Sequence, residues 1–335
     1  MPSEANKLSS ILLILVGRFG DYIVTTPFLH GLRRRYPEAE ITLITSQKAE
    51  DLAKANPDLD RVLVFRGWHR PLSLARVFLT AAGRYDVAAD LNPSYSRTSL
   101  RLISLAKAQR KLAFAKRAPA GTYTLTLPHD PATEHHLDKY SRLAAELGFD
   151  PPGNVRIALP AAADAAGGRL YRGLGLPEDS LTVAIHPGNF KKRENRWPEE
   201  KFVKFTKEIM GWKGVSVFYI EGPGEERQTE EGVLRFLPGV RHIPPQPAEV
   251  MAAVLARASI LVCNNTGTLH LADAVGTPTF SFNRPYTEKC WKPRGANSFY
   301  ITSEDPESVR GIEVGDALGV FAAAVEKLRA ARQVT

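Results

Sequence analysis

Short apolar runs, each ending in a polar turn and then a segment of helical spacing, recur from one end of this chain to the other. ILLILV, EITLIT, LTVAI, VSVFYI and ILVC are the clearest of them. Continuous apolar runs of this length suit strands buried on both faces of a parallel sheet, with helices as the crossovers. Their repetition predicts an α/β fold of doubly wound sheets. Between Pro151 and Ser180 the composition turns to Pro, Ala and Gly, and Ala161 to Gly168 is nearly featureless. That stretch is the expected boundary between two domains, 1–165 and 166–315, followed by an amphipathic helix in 316–335.

The net charge of +8 favours an anionic partner, whether nucleotide, phosphorylated glycan, membrane surface or nucleic acid, and charge alone does not choose among them. Only two cysteines are present, too few for a disulfide framework or a four-cysteine zinc cluster, and a reducing cytoplasm suits them. Ile11 to Val16, the longest apolar run near the start, is shorter than a signal-peptide core or a membrane span. Contact with a membrane is therefore expected from its surface.

Chemistry is expected where strands give way to helices. In ILVCNNTGTLHLADA the turn Asn264-Asn265-Thr266-Gly267 opens a helix whose unpaired N–H groups and dipole would face an anion. His186-Pro187-Gly188-Asn189-Phe190 ends another strand, and the loop after it carries Lys191, Lys192, Arg193 and Arg196, cations suited to a diphosphate. Glu225 and Glu226 follow the next strand, where either one is placed to accept from ribose hydroxyls. In the first half, Gly17-Arg18-Phe19-Gly20-Asp21 follows the first strand. Asp21 reads as a helix cap or as a general base, with Gly17 and Gly20 leaving room for a substrate hydroxyl.

Other patterns carry less. G-x-G-x-x-G is absent, and the strand EITLIT ends in Ser46-Gln47 without the acid that would hold a ribose, so a nucleotide-dependent oxidoreductase is disfavoured. Asp58-Leu59-Asp60 precedes a strand and reads as a turn. Glu134-His135-His136 lacks the spacing that places two imidazoles on one helix face, and no metal site is expected there. Arg97 to Lys116 reads as a helix with a basic face, either solvated or docked on an anionic acceptor or membrane surface.

Taken together, ILLILVGRFGDYIVTTPFLHGLRRRYPEAEITLIT, NPDLDRVLVF, HHLDKYSRLAAELG, HPGNFKKRENRWPEEKF and LVCNNTGTLHLADAVGTPTFSF resemble glycosyltransferase family 9, the ADP-heptose:lipopolysaccharide heptosyltransferases. The resemblance implies a GT-B fold: an N-terminal acceptor-binding and a C-terminal nucleotide-sugar-binding Rossmann-like domain face a cleft, and the last helix crosses back to the first domain. It implies inverting transfer without a metal or other cofactor. The donor would be a nucleoside-diphosphate sugar, ADP-linked, and the acceptor an anionic glycan or glycolipid. The enzyme would be cytoplasmic, at the inner face of the membrane, and would not bind nucleic acid.

Asp21 takes the place of the catalytic base, with Gly17 and Gly20 on the acceptor side. The donor side comprises Gly188, Asn189, Lys192, Arg196, Glu225, Asn265, Thr266, Gly267, Thr268 and His270. Two departures stand out. Asn195 occupies the position of a lysine two residues before Trp197-Pro198, so that its cationic role would pass to Lys192, Arg193 or Arg196. Asn265 replaces an aspartate, and Asn283-Arg284 stands in place of a glycine. A GT-B sugar epimerase and a non-catalytic anion- or glycan-binding protein are the competing readings.

Overall fold

The computed structural model describes residues 8–151, 153–189 and 193–333. The chain divides into two compact units between Ala158 and Leu159. In the N-terminal unit the strands are β1 (Ser10–Leu15), β2 (Glu40–Ser46), β3 (Arg61–Phe65), β4 (Arg84–Asp90), β5 (Lys107–Phe114) and β6 (Leu125–Leu127). They form one parallel sheet of order β3-β2-β1-β4-β5-β6. Its helices are α1 (Phe19–Ile23), α2 (Thr26–Arg35), α3 (Glu50–Lys54), α4 (Pro71–Ala81), α5 (Arg97–Leu105) and α6 (His136–Glu146). The apolar stripes of α4 and α5, Val77, Ala81, Leu102 and Ile103, close over Leu12, Ile14 and Ala88 of the sheet.

The C-terminal unit repeats the plan. Strands β7 (Leu181–His186), β8 (Val215–Ile220), β9 (Arg241–Ile243), β10 (Ile260–Asn264), β11 (Thr279–Asn283) and β12 (Ser298–Thr302) form a parallel sheet of order β12-β11-β10-β7-β8-β9. Around it lie α7 (Ala161–Gly173), α8 (Glu199–Met210), α9 (Glu226–Gly232), α10 (Ala248–Leu255), α11 (Gly267–Ala274), α12 (Pro285–Trp291) and α13 (Val314–Gln333). In each sheet the first strand sits between the second and the fourth. The crossover direction therefore reverses beside β1 and beside β7, and ligands of open α/β sheets bind at the carboxyl ends of the strands at such a point.

Three expectations change. The boundary expected at 165/166 falls inside α7, which belongs to the second unit and packs on α10. A Cβ on Gly167 would lie 2.5 Å from Ala253 Cβ, so the featureless Ala/Gly composition is that of a close helix contact, where only small residues fit. Arg97 to Lys116 is not one helix: α5 ends at Leu105, Ala106 is extended, and Lys107 onward pairs with β4 as a strand. The last helix, expected to cross back to the first domain, spends its apolar face on the second unit. Phe321 packs edge-on against Phe205 and Phe280 with ring centroids 5.2 and 5.4 Å apart, and Ala317, Val325 and Leu328 are buried in the same core.

Candidate active site

At the reversal point of the C-terminal sheet, β7 ends in His186 and β10 in Asn264, with Cys263 in register with His186. Asn264 is fully buried. Its Oδ1 accepts from the Trp197 N–H at 2.8 Å, and its Nδ2 donates to the carbonyls of Pro187 and Gly188 at 3.0 and 2.9 Å. One amide thus ties together both ends of the 187–197 loop. Trp197 in turn stacks on Phe282 at 4.1 Å, which roots that end of the loop in the core.

A second tie comes from Glu225, the N-cap residue of α9. Its Oε2 lies 2.9 Å from His186 Nε2 and accepts from Gly222 N–H at 3.1 Å, while Oε1 accepts from Asn189 N–H at 3.2 Å. Burial pushes this carboxyl up, but the hydrogen bond and charge of His186 and the two N–H groups outweigh it. Glu225 is held below the ordinary carboxylate range. An anionic acceptor fixes the imidazole proton on Nε2, and His186 Nδ1 is buried without a partner among the described residues. Gly188 makes the approach possible: a Cβ there would sit 2.4 Å from Glu225 Oε2 and 2.5 Å from His186 Nε2. Asn189 follows at φ 94°, a strained conformation for a non-glycine residue and a feature that clusters at functional sites.

Beyond β10, Asn265, Thr266, Gly267 and Thr268 are half-buried at the start of α11. Thr266 is the N-cap in extended backbone, yet no side chain caps the helix, and Thr266 Oγ1 is buried without a partner among the described residues. Asn265 Nδ2 donates to Asn283 Oδ1 at 2.8 Å, joining this turn to the end of β11. There Arg284, 13% exposed at its side chain, donates from Nε to Asn195 Oδ1 at 2.7 Å and from Nη1 to the Glu307 carbonyl at 3.2 Å. Its Nη2 has no partner among the described residues. The two departures noted in the sequence, Asn195 and Arg284, are therefore bonded to each other.

The remaining expected residues fall differently. Lys192 lies outside the described residues. Arg196 is folded onto Glu199 at 3.3 Å and is largely covered. His270 is buried on α11 with its ring 5.9 Å from Trp291. Glu226 is exposed, whereas Glu225 is the acid turned toward the 187–189 loop. Sequence reasoning met Asn264 only as part of the turn and Arg284 only as a departure, without a role for either, and did not single out the buried Glu221 just after β8. For Glu221, burial and then the charges of Glu226, Glu230 and Glu225 push the carboxyl up, against the pull of His242.

In the N-terminal unit Asp21 is half-buried at the third position of α1. Its Oδ2 accepts from Arg18 N–H at 2.8 Å, and its Oδ1 has no partner among the described residues. The carboxylate is thus a helix cap with its second oxygen unspent. Gly17 accommodates it, since a Cβ there would lie 2.9 Å from Oδ2, and Ser46 Oγ anchors the Gly17 carbonyl at 2.5 Å. Gly20 is buried within α1.

At the neighbouring end of β4, buried Asp90 accepts from Lys116 Nζ at 2.8 Å and from Tyr123 Oη at 2.9 Å, and Asn92 Nδ2 donates to its Oδ1 at 3.0 Å. Burial lowers the Lys116 ammonium pKa against the pull of Asp90. Burial, then the charges of Asp21 and Asp90, push the Tyr140 phenol far up and keep it neutral. Sequence reasoning did not find this cluster; its one signal is that Asp90 is one of only two acids, with Asp86, in a basic stretch. The D-x-D acids are engaged in the turn, Asp58 with His30 at 3.2 Å and Asp60 with Arg33 at 2.5 Å.

Two parallel sheets of this order, one bearing a half-buried carboxylate after its first strand and the other an uncapped helix N-terminus bonded to the strand end that carries Arg284, follow the plan of GT-B-type glycosyltransferases. The glycosyltransferase family 9 (heptosyltransferase) model matches residues 79–311, and the chain belongs to that family. Lipopolysaccharide heptosyltransferase 1 of Escherichia coli K12 is 23% identical over 294 residues, 82% of this chain and 88% of the relative. A family 9 glycosyltransferase structure from Veillonella parvula superposes with TM-score 0.81 at 19% identity, covering 96% of this chain and 98% of that one. E. coli heptosyltransferase WaaC with ADP-2-deoxy-2-fluoro heptose gives TM-score 0.70 at 20% identity, over 94% and 99% of the two chains.

Proposed function

We propose that this enzyme moves a heptose or closely related sugar from a nucleoside-diphosphate donor, ADP-heptose, to a hydroxyl of a lipopolysaccharide-core or other glycan acceptor, with inversion. The observation that carries the reading is the uncapped N-terminus of α11, whose Asn265 is bonded to Asn283 at the strand end where Arg284 keeps Nη2 unspent. Negative charge grows on the departing diphosphate in the transition state. N–H groups of residues 266–268, the helix dipole and the Arg284 guanidinium supply preorganised donors for that charge. In this reading no divalent ion is required. Arg284, steadied by Asn195, takes the cationic role that a loop lysine would otherwise fill, and Glu225 holds Gly188 and Asn189 in position for the nucleotide. Asp21 removes the proton from the attacking hydroxyl, for which its Oδ1 is available.

The test is product analysis with ADP-heptose and a lipopolysaccharide-core acceptor, reading the anomeric configuration of the product by NMR. A heptosylated acceptor of inverted configuration is expected, with activity retained in excess EDTA. An isomerised donor without transfer would instead favour an epimerase. No donor consumption and no ADP binding would favour the binding-protein reading.

A further inference from the structure

Residues 61–129 hold twelve of the 44 Lys and Arg but only two of the 36 Asp and Glu, a net +10 in a chain whose total is +8. Both acids are consumed internally, Asp86 by Ser9 and Ser10 and Asp90 by Lys116. Some of the cations are also paired, Arg61 with Glu40 and Arg66 with Glu50. Arg70, Arg76, Arg84, Arg101 and Lys107 are exposed and have no ion pair among the described residues.

The same stretch exposes apolar side chains. On α4, Leu72 and Leu79 are 84% and 76% exposed, and they lie on one helix face with Arg76 between them. Next to α4, with which α5 packs, Trp68 is 41% exposed. Its ring is set edge-on between Phe65 and Phe78 at 5.3 and 6.0 Å, and the Arg101 guanidinium lies 4.9 Å above it. Leu105, one turn beyond Arg101, is 38% exposed. Single exposed leucines are ordinary; two leucines on one helix face and a tryptophan, in a stretch with exposed unpaired cations and no unpaired acid, are not. No helix among the described residues is long and apolar enough to cross a membrane, so such a face meets a bilayer from outside.

We infer that the outer face of α4, with Trp68 and the exposed side of α5, docks on an anionic bilayer surface. Leu72, Leu79 and Trp68 enter the headgroup region, while Arg70, Arg76, Arg84, Arg101 and Lys107 bind anionic headgroups. A two-part contact of this kind, apolar wedge plus basic rim, holds an interfacial element on acidic lipid and releases it at high salt. This docking does not depend on which sugar the enzyme moves, and it is measured without donor or acceptor.

Co-sedimentation of the full chain is the test, with vesicles of phosphatidylcholine alone or carrying about 30% phosphatidylglycerol. Binding is expected only to the anionic vesicles at ~0.1 M salt, and lost at ~1 M, where the screening length falls from about 10 to about 3 Å. Arg76→Gln should weaken it about fivefold. The pair Leu72→Glu with Leu79→Glu should weaken it at least about tenfold, without lowering Tm, because both side chains are already in solvent. Arg227→Glu, 82% exposed on α9, should leave binding unchanged. A vesicle-dependent change in tryptophan emission should vanish in Trp68→Phe. Equal binding to neutral vesicles would overturn the inference, as would unaltered binding by the double leucine variant. So would duplex DNA displacing the vesicles through these same side chains, or a dimer that the double variant dissolves.

Discussion

Replacing Arg284 by Ala should separate diphosphate binding from nucleoside binding. The guanidinium makes a 2.7 Å bond from Nε to Asn195 and reaches the Glu307 carbonyl from Nη1, so its position is set and Nη2 is left to meet a phosphate oxygen. A hydrogen bond to a charged group is worth about 1.5–3 kcal/mol, so ADP affinity should fall about 10- to 150-fold. Adenosine, which lacks the diphosphate, should bind the variant and the parent alike. Truncation also strips the buried Asn195 oxygen of its partner, at a cost of about 1–3 kcal/mol of stability, which a thermal melt reads separately. Arg284→Lys keeps the charge but cannot serve Asn195 and a phosphate together, and should fall between the two. Titration calorimetry with ADP, AMP and adenosine measures all of this. Equal weakening for adenosine would mean that Arg284 only braces the loops, and an unchanged ADP affinity would remove it from the donor site. Pairing Arg284→Gly with Asn195→Lys, the residues the family resemblance places there, should restore ADP binding if the two positions act as one unit.

Gly17→Ala should lower turnover at least about tenfold with donor affinity unchanged, since its Cβ would lie 2.9 Å from Asp21 Oδ2 and displace the carboxylate. Initial rates at saturating donor check this, and normal turnover would show that the carboxylate position does not matter. Glu225→Ala should weaken ADP at least about tenfold by releasing the N–H groups of Asn189 and Gly222, and unchanged binding would separate this carboxylate from the donor site. Asp273 is pushed up to about 6 by burial. The folded state then binds its proton more tightly than the unfolded chain, whose carboxyl titrates near 3.8, so stability falls as pH rises from about 4 to about 6, and the penalty is complete above that. Asp273→Asn should therefore stabilise by up to about 3 kcal/mol at pH 7, the gain shrinking toward pH 4. A pH-independent difference in denaturation midpoints would refute it.

The strand-turn-helix repeats made both sheets legible, because buried parallel strands leave a continuous apolar run and their crossovers an amphipathic one. Short edge strands such as β6 and β9, three residues each, leave no such trace. The domain boundary was misplaced because Ala161 to Gly168, read as a linker, is instead the contact face of α7 against α10. Turns at strand ends drew attention to Asp21, Gly188 and Asn265 to Thr268 as candidates. Whether Glu225 or Glu226 turns inward depends on the backbone angle at the start of α9, which spacing does not reveal. The bond between Asn195 and Arg284 joins residues 89 apart in the chain, and each looked like an isolated loss until the fold set them side by side. Asn264 hid for the opposite reason, since an asparagine at a strand end is a common turn residue and nothing local shows that it holds a distant loop.

The most direct measurement compares turnover with donor binding in Asp21→Asn, which keeps an oxygen for the Arg18 N–H and so spares the helix cap. With ADP-heptose and a lipopolysaccharide-core acceptor, kcat should fall by about 10² or more while the Kd for ADP is unchanged. Near-normal kcat would contradict the assignment of Asp21 as the base that activates the acceptor hydroxyl.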